Sequence, residues 1–504
     1  MSFDRRDFLK FLGVASATYL TPSSVFNSQR SLKLEPLDDS PQGELRLAKG
    51  FQASLIAARG DPLFKGGDKF GSSSDFISVM QGVSPNEIFL WINHESPEPL
   101  FLHGEKNLDK KTKSHFDLER ASVGGSFIVV KRSKGSNWRV AVADPRNFRL
   151  TGSTSIPFSK GTKILNSRIA AGTLANCSGG QTPWGTFLSG EEDYEDFYPE
   201  TPSYEGAYGW TRFSKNPSEH YGWVVEIDPQ KKKAKKLVSL GRFAHEGALV
   251  IGGKTTKAVV YMGDDSEDQC LYKFIASRPG SLDDGVLYVA NFERGQWLPV
   301  NPEKKLKNLI HTRDAAKKVG GSSLDRPEGV AIDPLSGDVF VALTGDQKKG
   351  NPYGSILKIS EKAKNYESLI FQSDTFLAGG PKSGIAMPDN LVFDSSGNLW
   401  ICMDIGAKKL AKAPYESFQR NSLFVIPRSG ELAGLPVRIA SAPRGAEFTG
   451  PALSPDEKTL FISVQHPGDA SESAEQPTSR WPHGETPRSG VIGITRLDIG
   501  SQLL

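Results

Sequence analysis

The sequence predicts an all-β fold: a six-bladed β-propeller with long insertions and a metal cluster in its central channel. Three observations carry the prediction. First, short apolar runs come in pairs joined by Gly, Pro, Asp and Ser turns, which is strand-and-turn chemistry and not a helical period. Second, four of these pairs open on an acid: Glu246 in HEGALVIGGK, Glu328 in PEGVAIDPLSG, Asp389 in PDNLVFDSSG and Glu447 in EFTGPALSPDE. Third, the returning runs AVVYM, VFVAL, LWICM and TLFISV close in three cases on further polar groups: Asp264 and Asp265, Asp404, and Gln465 with His466. A hairpin returns to the end it left, so both polar positions of a unit share one end of a sheet. Repetition of such units gathers carboxylates around a propeller's axis. A ring of carboxylates is costly unless cations neutralise it, which points to a multi-metal site.

Taken in chain order, the elements begin with an address. Arg5-Arg6-Asp7-Phe8-Leu9-Lys10 and the apolar segment Phe11 to Leu20 resemble a twin-arginine export signal, with Asp4 in place of the usual Ser or Thr. Residues 1–30 read as this signal and its lead-in, and residues 45–504 as a single propeller domain. The first hairpin unit has its turn at Ser84-Pro85-Asn86-Glu87 and ends at Asn93, His94 and Glu95. The second, NCSGGQTPWGTFLSGEE, turns at Thr182-Pro183-Trp184-Gly185 and ends at Glu191 and Glu192. Here the position that carries acid elsewhere is Cys177. Including the four acid-led units, turns start near 84, 182, 252, 334, 395 and 454. That spacing exceeds the ~40–50 residues of a compact blade, so insertions are required. Residues 471–487 read as a surface excursion of the last blade. VIGITRLD near the C-terminus is expected to pair with an N-terminal strand and close the ring.

Composition narrows the function. With 61 basic and 58 acidic residues in 504, nothing in the charge balance implies nucleic acid. The basic run Lys231 to Lys236 follows Asp228-Pro229 and reads as a solvated hairpin turn. No apolar stretch reaches the ~20 residues of a membrane span. Three cysteines make no disulfide framework. Cys270 and Cys402 lie in apolar strand-like runs and read as packing residues, whereas Cys177 sits in a Gly-rich turn.

Carboxylates select hard cations such as Ca²⁺. A thiolate from Cys177 among them favours a transition metal such as iron beside the hard ions. Arg326 lies two residues before Glu328, where a guanidinium makes a bidentate clamp for phosphate; the alternative is a structural salt bridge. His94, His245 and His466 adjoin polar strand ends and read as orienting or packing histidines.

NCSGGQTPWGTFLSGEE, RFAHEGA, YMGDDSEDQCLYKF, RPEGVAID, MPDNLVFDSSGNLW and EFTGPALSPDEKTLFISVQHPGD together resemble the PhoX family of secreted alkaline phosphatases. The resemblance implies a six-bladed propeller whose channel holds iron (Fe³⁺) and calcium (Ca²⁺) acting on phosphate esters. It implies Cys177, Glu192, Glu246 and Glu328 as metal ligands and Arg326 as the phosphate-binding arginine. Asp389, Asn390 and Glu447 sit in matching motifs and join the ligand set. Catalysis would rest on Arg326, Cys177, Glu246 and Glu328. Where the family has a TCEE-like ending, this chain has Ser189-Gly190 before its Glu pair. The protein is then expected to be a periplasmic or secreted monomer acting on small phosphate esters, with neither nucleic acid nor stable membrane insertion. Two other readings use the same fold: a calcium-dependent lactonase-like hydrolase, and a non-enzymatic calcium-braced binding platform.

Overall fold

Six antiparallel sheets, each of four or five strands, follow one another along the chain. The computed structural model describes Leu37 and residues 44–133, 135–201, 203–498 and 501–504. The expected export signal over 1–30 lies outside the described residues. The innermost strands are Ser74–Gln81, Asn176–Gln181, His245–Gly252, Pro327–Ile332, Pro388–Phe393 and Glu447–Leu453. Each pairs antiparallel with the strand after its predicted turn: Glu87–His94, Phe187–Glu191, Ala258–Asp264, Val339–Leu343, Leu399–Met403 and Leu460–Gln465. The inner strands contact their neighbours in cyclic order, and the last meets the first, so the sheets form a closed ring. This is the predicted six-bladed propeller.

Apolar side chains fill the spaces between blades. Trp400, Phe448, Ile462 and Ile492 belong to one such layer, and Leu188, Val260, Met262 and Phe274 to another. Cys270 and Cys402 are buried free thiols within these layers, as expected. Blades approach closely because the inner strands carry glycine at the contacts. A Cβ on Gly180 would lie 1.9 Å from the Ala248 carbonyl oxygen, and one on Gly329 2.4 Å from that of Asp389.

The ring closes as predicted. Phe51–Ala58 pairs antiparallel with Gly490–Arg496, placing Ala53 opposite Ile494. The preceding Arg46–Leu47 extends the fifth blade instead, opposite Ala440 and Ser441. The N-terminal segment therefore ties two blades together. Residues 471–487 leave the last blade between its second and third strands.

One expectation fails. Lys231 and Lys232 occupy a turn, but Lys233–Leu237 is a strand and Lys236 is wholly buried. Strand alternation sends Lys236 inward, where Glu191 accepts both contacts at 2.7 and 2.9 Å. A buried ammonium is tolerated only with such partners.

Candidate active site at the propeller axis

In all six inner hairpins the register shifts near the end of the strand that bears the polar residues. The shifts fall between Ser74 and Ile77, Asn176 and Gly179, Glu246 and Leu249, Pro327 and Val330, Pro388 and Leu391, and Thr449 and Ala452. A β-bulge frees residues from the ladder and re-aims their side chains. Asp75, Cys177, Glu328, Asp389 and Asn390 are among the residues freed by four shifts, while Glu246 stands at the edge of a fifth and Glu447 opens its strand.

The consequence is a convergent set of donors. One atom each from Glu95, Cys177 and Glu192 lie within 4.8 Å of one another, and so do atoms from Glu192, Glu246 and Glu328. Glu192 belongs to both groups. Both carboxylate oxygens of Glu246 are buried with no hydrogen-bond partner. An unpaired buried carboxylate is costly unless a proton or a cation neutralises it, and this convergent donor set suits a cation. Oxygen donors suit hard ions, and the Cys177 sulfur suits a softer one. The residues present therefore fit metal binding.

Burial governs the protonation of this cluster in the absence of cations. It raises the carboxyls of Glu192, Glu246, Glu328, Asp389 and Glu447 well above the usual range, with neighbouring carboxylates adding to the effect. Asp75 is raised to about 6, and Asp193 to about 7. Burial likewise pushes the Cys177 thiol up.

Arg326 has φ 58°, the left-handed region that a non-glycine residue adopts at a cost. Its Nε and Nη2 donate to the two oxygens of Asp265 at 2.8 and 2.6 Å, and Nη2 also donates to Glu328 at 3.0 Å. The salt bridge given as the alternative for this residue is therefore present, and it sets the guanidinium beside Glu328. Arg326 Nη1 makes no hydrogen bond among the described residues. Thr344 donates to Glu328 Oε1 at 2.6 Å. Asn390 accepts the Gly450 backbone N–H at 2.5 Å and donates to Asp389 at 2.7 Å, linking the fifth blade to the sixth.

Of the three histidines, only His466 reaches the cluster, with Nε2 2.8 Å from Glu447 Oε1. His94 bonds Ser126 and the Ser72 carbonyl, and His245 bonds the Gly241 carbonyl, so both serve packing. Sequence reasoning did not assign Asp75, the first blade's counterpart of Cys177. Asp75 sits nine residues ahead of Ser84, beyond the six or seven of the other acids, because Gly82 and Val83 separate the end of its strand at Gln81 from the turn. It did not assign Asp193 either, whose signal was its place directly after the Glu pair. Glu95 is legible in the sequence only as the end of a strand. Above the cluster lies a cavity of about 460 Å³ lined by Glu95, Asp193, His466, Lys111, Phe197 and Tyr208, among others.

Fold and axis together define a class: a six-bladed propeller that concentrates carboxylates and one thiol around its axis in an arrangement suited to cations. The chain belongs to the alkaline phosphatase PhoX family, whose model matches residues 32–468. Its structure matches that of Pseudomonas fluorescens PhoX in complex with vanadate, a transition state analogue, at TM-score 0.83 and 28% identity, over 94% of this chain and 99% of that one. Weaker likenesses are to the gluconolactonase XC5397 of Xanthomonas campestris (TM-score 0.36, 10% identity, 88% and 97% covered) and to Trypanosoma rangeli sialidase (TM-score 0.41, 7% identity, 90% and 60% covered). Those two are too distant to bear on function. No curated protein sequence matches the chain. Among the three readings left open by sequence, family membership selects the phosphatase. Among the described residues, no helix is long and apolar enough to cross a membrane.

Proposed function

We propose that the protein is an exported phosphomonoesterase, a single propeller domain over residues 45–504, working with iron and calcium at its axis. The observation that carries the metal reading is the wholly unpartnered Glu246 carboxylate, packed among Cys177, Glu192 and Glu328. Cys177, Glu95, Glu192, Glu246 and Glu328 would hold ions, with Asp389, Asn390 and Glu447 completing the set on the fifth and sixth blades. Bound there, the cations would polarise the phosphoryl group and neutralise its charge.

The chain's own residues do the rest. Asp265 and Glu328 hold the Arg326 guanidinium from two sides, so its remaining edge faces a phosphate without reorganisation. His466 fixes the orientation of Glu447, and Thr344 that of Glu328. Burial of the acids excludes water from all but the mouth, where the cavity receives the alcohol part of the ester. A twin-arginine signal over 1–30 suits a centre assembled before export, since that route carries folded proteins.

The test is a chromogenic phosphomonoester assay paired with elemental analysis of the purified protein. Iron with several calcium ions per chain, together with loss of turnover in Cys177→Ala, is the expected result. Calcium without iron, with Cys177→Ala turning over normally, would sink the iron–thiolate reading.

A further inference from the structure

A chain of buried polar side chains runs from the second blade to the Cys177 backbone. It begins at Lys236, whose ammonium contacts both oxygens of Glu191 and donates to the His220 carbonyl at 2.7 Å. Glu191 accepts Thr173 Oγ1 at 2.9 Å and the Trp223 backbone N–H at 3.2 Å. Asn176 Nδ2 donates to Thr173 Oγ1 at 2.7 Å and to Ser189 Oγ at 2.8 Å. Ser189 Oγ donates to Asn93 Oδ1 at 2.7 Å, crossing to the first blade. Asn93 Nδ2 then donates to the backbone carbonyls of Cys177 at 2.8 Å and Ser178 at 3.0 Å. Every side chain from Lys236 to Asn93 in this chain is buried.

Both ends matter. Cys177 and Ser178 fall in the register shift between Asn176 and Gly179, so they have no ladder partner to fix them. The two bonds from Asn93 take that place. At the other end, Glu191 is followed by Glu192, the residue common to both donor groups. Strand alternation points Glu191 at Lys236 and leaves Glu192 for the axis. A second buried pair, Lys273 with Glu361 at 2.9 Å, is similarly enclosed but makes no bond to any donor residue. Apolar residues would fill such positions at less cost, so a network that ends on the Cys177 carbonyl and includes the residue next to Glu192 calls for a positional explanation.

We propose that Lys236, Glu191, Thr173, Asn176, Ser189 and Asn93 are positioning residues for the axial centre, fixing the backbone of Cys177 and Glu192 so that thiol and carboxylate meet one cation. This rests on the reading above that those two residues bind metal. Ligand orientation by outer hydrogen bonds characteristically changes metal affinity by about 10–100-fold.

The test compares holoprotein variants Lys236→Met, Ser189→Ala and the control Lys273→Met. Release of bound metal to a chelator is followed well below each melting temperature, alongside the rate of Cys177 alkylation after chelation. Lys236→Met and Ser189→Ala should release metal at least about tenfold faster than wild type, while Lys273→Met, at comparable loss of Tm, should not. Wild-type release rates in Ser189→Ala and Lys236→Met, or equally fast release from Lys273→Met, would overturn the proposal. Should Lys236→Met fail to fold, Ser189→Ala decides alone. A wild-type protein that holds no metal would refute the metal reading itself. Cys177 alkylation then judges the network: a changed rate in Ser189→Ala supports positioning, and an unchanged rate refutes it.

Discussion

At the level of single residues, the axis is a set of side chains that are unfavourable without cations. Burial raises Asp75 to about 6 and Asp193 to about 7, and holds Glu192, Glu246, Glu328 and Asp389 higher than usual. An acid whose folded value exceeds its unfolded one binds more protons when folded. Stability from these groups is therefore full below about pH 4 and is lost as pH rises through the folded values. The chelated protein should lose Tm between pH 5 and 8, whereas the metal-loaded protein, its carboxylates held ionised, should change little. Parallel Tm profiles for the two forms would contradict this. Arg326→Ala should lower kcat/KM by about 10²–10³, the usual cost of removing a preorganised donor. Arg326→Lys should recover little of it, because an ammonium lacks the planar fork that spans Asp265 and a phosphate. Steady-state kinetics on a phosphomonoester decide both. Cys177, Glu246, Glu328 and Arg326 were legible because the acid-led units repeat. Asp75 was not, because Gly82 and Val83 stand between its strand and the turn and hide the offset.

At the level of elements, the register shift is the device that turns strands into a site. It recurs in each inner hairpin at the same end, and only pairing reveals it. The blades also depend on glycine at their contacts. Gly180→Ala and Gly329→Ala should each cost about 1–3 kcal/mol, since the added Cβ meets a neighbouring carbonyl that has nowhere to move. Urea unfolding measures this, and unchanged midpoints would show that the blades can part. Removing one partner of a buried ion pair leaves a charge stranded, so Lys273→Met should cost about 3–5 kcal/mol by the same measurement. Adding Glu361→Leu should return part of that stability. The basic run at Lys231 to Lys236 shows what local reading loses. Its composition said surface, but strand pairing put Lys236 against Glu191.

At the level of the whole molecule, the ring is closed by chain segments far apart in sequence. Phe51–Ala58 covers Gly490–Arg496, which would otherwise be an open edge. A chain begun at residue 41 should keep its melting transition and phosphatase activity. One begun at residue 60 should aggregate or melt well below the intact protein, because the last blade then loses its outer strand. Size-exclusion chromatography with thermal melting distinguishes the two, and equal behaviour would mean that closure does not depend on this strand.

The sequence by itself determined the strand pairs, their turns, the number of blades and most of the acids, because period, turn chemistry and offset are local and repeated. Tertiary structure decided which of those acids converge, which carboxylate is left unpartnered, and how Lys236 is joined to Cys177. Those outcomes depend on bulges and on contacts between blades, and neither leaves a mark within any one segment.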